Sequence, residues 1–194
     1  MSFLTKEQIK DIGFKEIGEN VLISDKAMIY NPERIKIGSH VRIDDFCLLS
    51  AGVAGIQIGN FVHIGAYTSI VGAAEVVIED FVGVSFKVSI FSSSDDYMGY
   101  AMTNPMVPEK YRNVKSIRVV LCKHALIGAH AVLLPGTHLE PGVSIGAMAV
   151  VSSKLEGWFV YMGSPAKKLV RRSKKLLEKE LELRKEFPNI KFMD

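Results

Sequence analysis

IGNFVHIGAYTSIVGAA, residues 58–74, decides how this chain is read. Large aliphatic side chains stand six residues apart, at Ile58, Ile64 and Ile70, and Val62, Thr68 and Ala74 follow each by four. A period of six is neither the 3.6 of an amphipathic helix nor the 2 of a single strand. It fits short strands joined by tight turns, three to a coil, with one large and one small side chain of each strand turned inward. The same spacing recurs at Ile17, Ile23, Ile29; Ile37, Ile43, Leu49; Ile78, Val84, Ile90; Leu121, Ile127, Leu133; and Leu139, Ile145, Val151. Seventeen of the eighteen residues four places further on are small or aliphatic, and Glu33 is the exception. Gly, Asn or Asp is expected at each corner. No coil buries its inward face alone, so the coils stack into one core. The prediction is an all-β solenoid, a parallel β-helix of about six coils over residues 17–163.

That reading disposes of an alternative. Phe46 to Ala74 contains no charged residue, which a hydropathy window flags as a membrane span. Gln57, Asn60, His63 and several glycines argue against a bilayer, and the repeat assigns the stretch to inner ladders instead. The chain has 194 residues, a formal charge of +3 and 48% hydrophobic residues, too apolar for a disordered protein. Two cysteines, Cys47 and Cys122, exclude a disulfide scaffold. The start lacks the apolar core of a secretion signal, so a cytoplasmic protein is expected.

The irregularities in the repeat share one edge. Between sets the step is eight, nine, eight, thirty-one and six residues, and all the surplus follows the third hexad of a coil. The largest insertion is a loop over roughly residues 91–120, and a long loop on a rigid scaffold is a functional candidate. Phe81, Phe86, Phe91, Tyr97, Tyr100 and Tyr111 lie in it or just before it, a skew of the aromatics toward that edge.

The ends read as caps. Residues 2–13 look helical, with Thr5 and Gln8 spaced as a capping box, giving an N-terminal cap over residues 1–16. In the segment 164–194, Ser164 and Pro165 read as N-cap and first turn of a helix that runs to Phe187. That segment carries ten basic and five acidic residues. Lys167, Lys168, Arg171, Arg172, Lys174 and Lys175 face phosphates or form a solvated helix face. No aromatics interleave with them, so nucleic acid is not the expected partner.

The repeat resembles the hexapeptide-repeat acyltransferase family of sugar O- and N-acetyltransferases, over residues 17 to about 170. The resemblance implies a left-handed β-helix, a homotrimer, and acetyl-CoA as co-substrate in a groove between adjacent prisms, without a metal. The family's small residues along the pantetheine arm match Gly128 and Ala129 in IGAH, Gly146 and Ala147 in IGAM, and Ser152. Its GNPAK-like ending appears as GSPAK, which puts Lys167 near the phosphate end.

In many of the family's O-acetyltransferases a catalytic His follows the strand before the long loop. Here VSIF (88–91) leads into SSSDDY, which puts Asp95 at that place and Asp96 beside it. A sugar hydroxyl needs a base with a pKa near the working pH, and an ordinary carboxylate is poorly matched. A neutral amine is already nucleophilic and needs only orientation and a proton acceptor. The expected acceptor is therefore an amino sugar, nucleotide-linked, with Asp95 as base or orienting carboxylate and Asp96 or Glu109 assisting. Tyr97, Tyr100 and Tyr111 offer ring faces, and Lys110 and Arg112 offer charge for a diphosphate. Backbone N–H groups at Gly128 or Ala129 suit the oxyanion. Three rivals stand beside this reading. Asp95–Asp96 is simply a polar turn; or the protein is a sugar O-acetyltransferase with His124 as base; or it is a non-catalytic scaffold. Zinc needs three converging histidines, and His124 and His130 fall on different faces of one coil.

Overall fold

The computed structural model describes residues 2–193. Three parallel sheets form the faces of a triangular prism. Face one stacks seven strands, from Glu16–Ile17 through Ile35–Ile37, Ile56–Ile58, Val76–Ile78, Val119–Leu121 and His138–Leu139 to Lys154–Leu155. Face two runs from Leu22–Ile23 to Phe159–Met162, with Lys167–Arg171 added antiparallel at its edge. Face three stacks six strands, from Met28–Tyr30 to Val150–Val151. The chain folds as the left-handed β-helix of the resemblance.

The register confirms the hexads residue by residue. Ile17, Ile37, Ile58, Ile78, Leu121 and Leu139 form one ladder. Ile23, Ile43, Ile64, Val84, Ile127 and Ile145 form the second. Ile29, Leu49, Ile70, Ile90, Leu133 and Val151 form the third. Only Ile17 and Ile29, in the first coil, escape full burial. Each buried aliphatic side chain contributes about 1.5–3 kcal/mol over its exposed state. The ladders also outrun the sequence reading, since Leu155 and Tyr161 extend the first two into a seventh, partial turn. A step of four from Val151 and an aromatic in place of an aliphatic hid it.

Two expectations about turns are corrected. The residue four places after a core aliphatic points inward at the first two corners, but at the third corner Val53 is 82% exposed, because the longer turns there eject it. Nor do Gly, Asn and Asp hold most corners. The left-handed φ at the first corner falls on Asn20, His40, Phe61, Phe81, His124, Gly142 and Trp158, and at the second on Phe46, Tyr67, Lys87, His130 and Met148. Most of these side chains point outward and stack on the next coil's, as Phe61 on Phe81 (5.5 Å) and Phe46 on Tyr67 (4.9 Å). Phe81 and Phe86 thus belong to the first two corners, not to the loop's edge.

The N-terminal helix α1 (Lys6–Ile12) carries the capping box: Thr5 Oγ1 accepts from Gln8 N–H, and Gln8 Oε1 accepts from Thr5 N–H. At the other end the helix expected from Ser164 is absent. Residues 167–171 form the exposed antiparallel strand, and α2 begins only at Leu176 and ends at Glu186. The physical reason is the open edge of face two, which takes up the alternating Lys167–Arg171 segment and is then closed by its charges. Helix α2 and the residues after it lie along the first corner, where Phe187 packs edge-on to His40 and Phe61, and Phe192 stacks near Phe61 and Phe81. No helix among the described residues is long and apolar enough to cross a membrane.

Candidate active site

The three corners divide the predicted residues among themselves. The first corner holds His124, which is 8% exposed. Its Nε2 is 2.7 Å from Glu180 Oε2 on α2, and its ring stacks on Phe81 at 5.0 Å. Arg172 Nη1 closes the cover by donating to the His124 carbonyl. His124 therefore ties down α2 and does not reach the loop, which leaves the prism at another corner.

The second corner carries the small-residue stripe. From the C-terminal end it runs through GSPAK, Gly146–Ala147, Gly128–Ala129, Ser85–Phe86, Gly65–Ala66 and Asp44–Asp45, successive coils at equivalent places. GSPAK crosses this corner, where Val150 N–H donates to Gly163 O and Ala166 N–H to Val150 O. Gly128 and Gly146 have a packing reason of their own. A Cβ at Gly128 would lie 2.6 Å from Ala147 N, and one at Gly146 would lie 2.7 Å from Met162 Cγ. Gly128 N–H is also committed, donating to Ile145 O at 2.8 Å, which removes it as an oxyanion donor. Ala129 N–H makes no hydrogen bond among the described residues. Lys167 pairs with Met162 beside this corner, whereas Ser152 lies at the third corner, away from the stripe.

The third corner sends out the loop. Its stalk is a two-stranded ribbon, Ser93–Ser94 against Lys115–Ser116, and its distal part includes a 3-10 turn at Glu109–Tyr111. The paired aspartates have different surroundings. Asp96 Oδ1 accepts from Met98 N–H and Oδ2 from Ala101 N–H, both at 2.8 Å. The Met98 amide, with those of Ala101, Tyr100 and Gly99, holds its carboxyl below the usual range. Asp96 is thus the polar turn that Ser-Asp-rich sequence favours. Asp95 Oδ2 accepts only from Asn104 N–H, at 3.2 Å, and its Oδ1 has no partner among the described residues. Glu109 stands exposed and engages neither aspartate. Tyr97, Tyr100, Lys110 and Tyr111 are exposed on the same loop, and Lys110 Nζ lies 4.8 Å from the Tyr111 ring. Arg112 Nε is buried without a hydrogen-bond partner among the described residues.

Sequence reasoning missed a groove. Ser85, Phe86, Gly65, Ala66, Gly83, His63 and Asp44 line a depression of about 360 Å³ along the N-terminal part of the stripe. The signal was present: Gly fills the place after the core aliphatic in coils at Gly65, Gly128 and Gly146, but a serine fills it at Ser85. A larger cavity of about 860 Å³ lies between α1 and the first coil and holds none of the predicted residues. Among the described residues no three His, Cys, Asp or Glu side chains converge as a metal site.

No protein-family model matches the chain. It is 48% identical over 180 residues to a dTDP-4-amino-4,6-dideoxy-D-glucose acyltransferase of Escherichia coli, covering 93% of this chain and 94% of that one. It also matches AntD, an N-acyltransferase from Bacillus cereus. In complex with dTDP and 3-hydroxybutyryl-CoA, AntD superposes with a TM-score of 0.91 at 41% identity, covering 97% of this chain and 99% of that one. A variant of AntD, in complex with dTDP-4-amino-4,6-dideoxyglucose and coenzyme A, gives 0.92 at 42% identity, covering 95% and 98%. The AntD variants alter an aspartate and a serine ten residues before it. A β-helix of this register, a small-residue corner ending in GSPAK, and this degree of identity along nearly the whole chain agree: the chain belongs to the hexapeptide-repeat acyltransferases.

Proposed function

We propose that this protein transfers the acyl group of an acyl-CoA to the amine of a dTDP-linked 4-amino-4,6-dideoxy sugar. The observation that carries the reading is the pair Ser85 and Asp95. They stand ten residues apart, the spacing of the serine and aspartate altered in AntD, and Asp96 does not keep it. CoA follows the second corner from Lys167 past Gly146–Ala147 and Gly128–Ala129, which brings the thioester to the level of Ser85. The amine attacks the thioester carbonyl, its surplus proton passes to the Asp95 carboxylate, and CoA leaves as the thiolate.

Asp95 and Ser85 lie at opposite ends of face three in one chain. About five strand residues separate those corners, roughly 16 Å. In this reading the enzyme is a homotrimer in which the loop of one subunit brings Asp95 to the second corner of its neighbour. Exposed Phe46, Tyr67, Phe86 and Met148 along that corner support such packing. The free thiols Cys47 and Cys122 suit the reducing cytoplasm.

The test is thiol release from acetyl-CoA with dTDP-4-amino-4,6-dideoxyglucose, against the same nucleotide sugar bearing a hydroxyl at that carbon. Turnover with the amine alone is expected, and turnover with the hydroxyl alone sinks the proposal. Mixing Asp95→Asn subunits with groove-filling Ala66→Trp subunits restores part of the activity if the site is shared, and none if each chain is self-sufficient.

A further inference from the structure

Asp44 and His63 form a polar pair at the far end of the groove. The Asp44 side chain is 9% exposed, yet its two oxygens hold two different partners. Oδ2 is 2.8 Å from His63 Nε2, and Oδ1 accepts from Arg42 Nε at 2.7 Å. Arg42 and His63 are register neighbours on face two, so both lean onto one carboxylate. Half of the His63 side chain remains exposed, at 52%. The next place outward on its ladder is Gly83, which leaves the space beside the ring open.

The coil spacing turns this placement into a statement about the substrate. Ser85, Gly65 and Asp44 occupy equivalent places one coil apart, about 4.8 Å each. An acceptor amine at the level of Ser85 lays its sugar ring over Gly65 and Ala66, where little side chain stands in the way. The group joined to the far side of the ring then arrives at His63. In a nucleotide-linked sugar that group is a diphosphate. We propose that His63, oriented by Asp44, binds the diphosphate of the acceptor and so selects nucleotide-linked over free amino sugars. This rests on the acyl-acceptor reading given above. With Nε2 held by Asp44, Nδ1 is the ring nitrogen left for the substrate, and an N–H there donates to a phosphate oxygen. Asp44 is a positioning residue, for it touches the ring and not the substrate.

The test titrates dTDP and, separately, CoA into the wild-type protein, His63→Ala and His63→Lys. His63→Ala is expected to weaken dTDP by about tenfold or more, the loss typical of a charge-assisted hydrogen bond. CoA affinity stays at the wild-type value, which also shows that the variant is folded. His63→Lys, which supplies an N–H donor and a positive charge at the same place, recovers part of the dTDP affinity. In turnover, KM for the nucleotide amino sugar rises while kcat at saturation holds. Unchanged dTDP affinity in His63→Ala that still takes CoA overturns the proposal. So does a fall in kcat at unchanged KM, which would make His63 a proton carrier. A wild-type protein that binds CoA but not dTDP overturns the acceptor reading itself, and this one with it.

Discussion

Glu180→Gln should release α2 from the first corner while leaving acyl transfer nearly intact. The Glu180 side chain is 12% exposed, accepts from Arg184 Nε at 2.7 Å, and lies 2.7 Å from His124 Nε2. Hydrogen bonds to a charged group are worth about 1.5–3 kcal/mol each. The amide keeps the shape and part of each bond, and solvent at the edge screens the remainder. A net loss of about 2 kcal/mol follows, or roughly a 30-fold rise in the opening constant of the helix. Hydrogen exchange on the amides of Leu181–Glu186 reads that constant directly, because local opening need not unfold the ladders beneath. Burial raises the Glu180 carboxyl, but the hydrogen bonds from His124 and Arg184 outweigh it and hold it below its usual range. With the folded value below the unfolded one, the stabilisation is complete above the ordinary carboxylate pKa and is lost as pH falls through the folded value. In the wild type, α2 should therefore loosen in acid, below about pH 4. Exchange in Glu180→Gln identical to wild type refutes the account of α2 as a strap anchored on His124. A collapse of kcat with the strap still docked would return His124 to the chemistry.

Asp95→Asn is expected to lower kcat by at least about a hundredfold at unchanged thermal stability, measured by thiol release. Asp96→Asn loosens the loop instead, and limited proteolysis within residues 97–112 should quicken while kcat keeps most of its value. Gly128→Ala drives a Cβ to 2.6 Å of Ala147 N and should cost about 1–3 kcal/mol in chemical denaturation. Ile64→Ala, at a fully buried rung of the second ladder, should cost about 2–5 kcal/mol by the same measurement.

The core was legible because each coil repeats one steric demand. An aliphatic at Ile43, Ile64 or Ile127 meets its own kind above and below, so spacing alone finds it. Corners were less legible, since a residue such as Phe61 in a left-handed turn is held by stacking on Phe81, which local turn preference does not describe. The strand at Lys167–Arg171 was misread for a related reason: Lys, Leu and Arg favour helix locally, and the open edge of face two outweighs them. At the site, Asp95 is a candidate by its residue type and its place after the strand before the loop. The separate task of Asp96 could not be read that way, because it depends on where the amides of Met98 and Ala101 point. Asp44 and His63, nineteen residues apart, become neighbours only once the coils are stacked.

The loop between Ser92 and Ile117 leaves and rejoins the prism almost at a point, for Ile117 N–H donates to Ser92 O at 2.9 Å. To the solenoid beneath, the excursion is a junction of nearly zero length. Its closure is already fastened by the ribbon at its base, so lengthening the tip adds only the slow logarithmic cost of a longer tether. The protein can therefore trade this loop for another of different size without renegotiating its core. Recognition and foldability are inherited separately along the same chain.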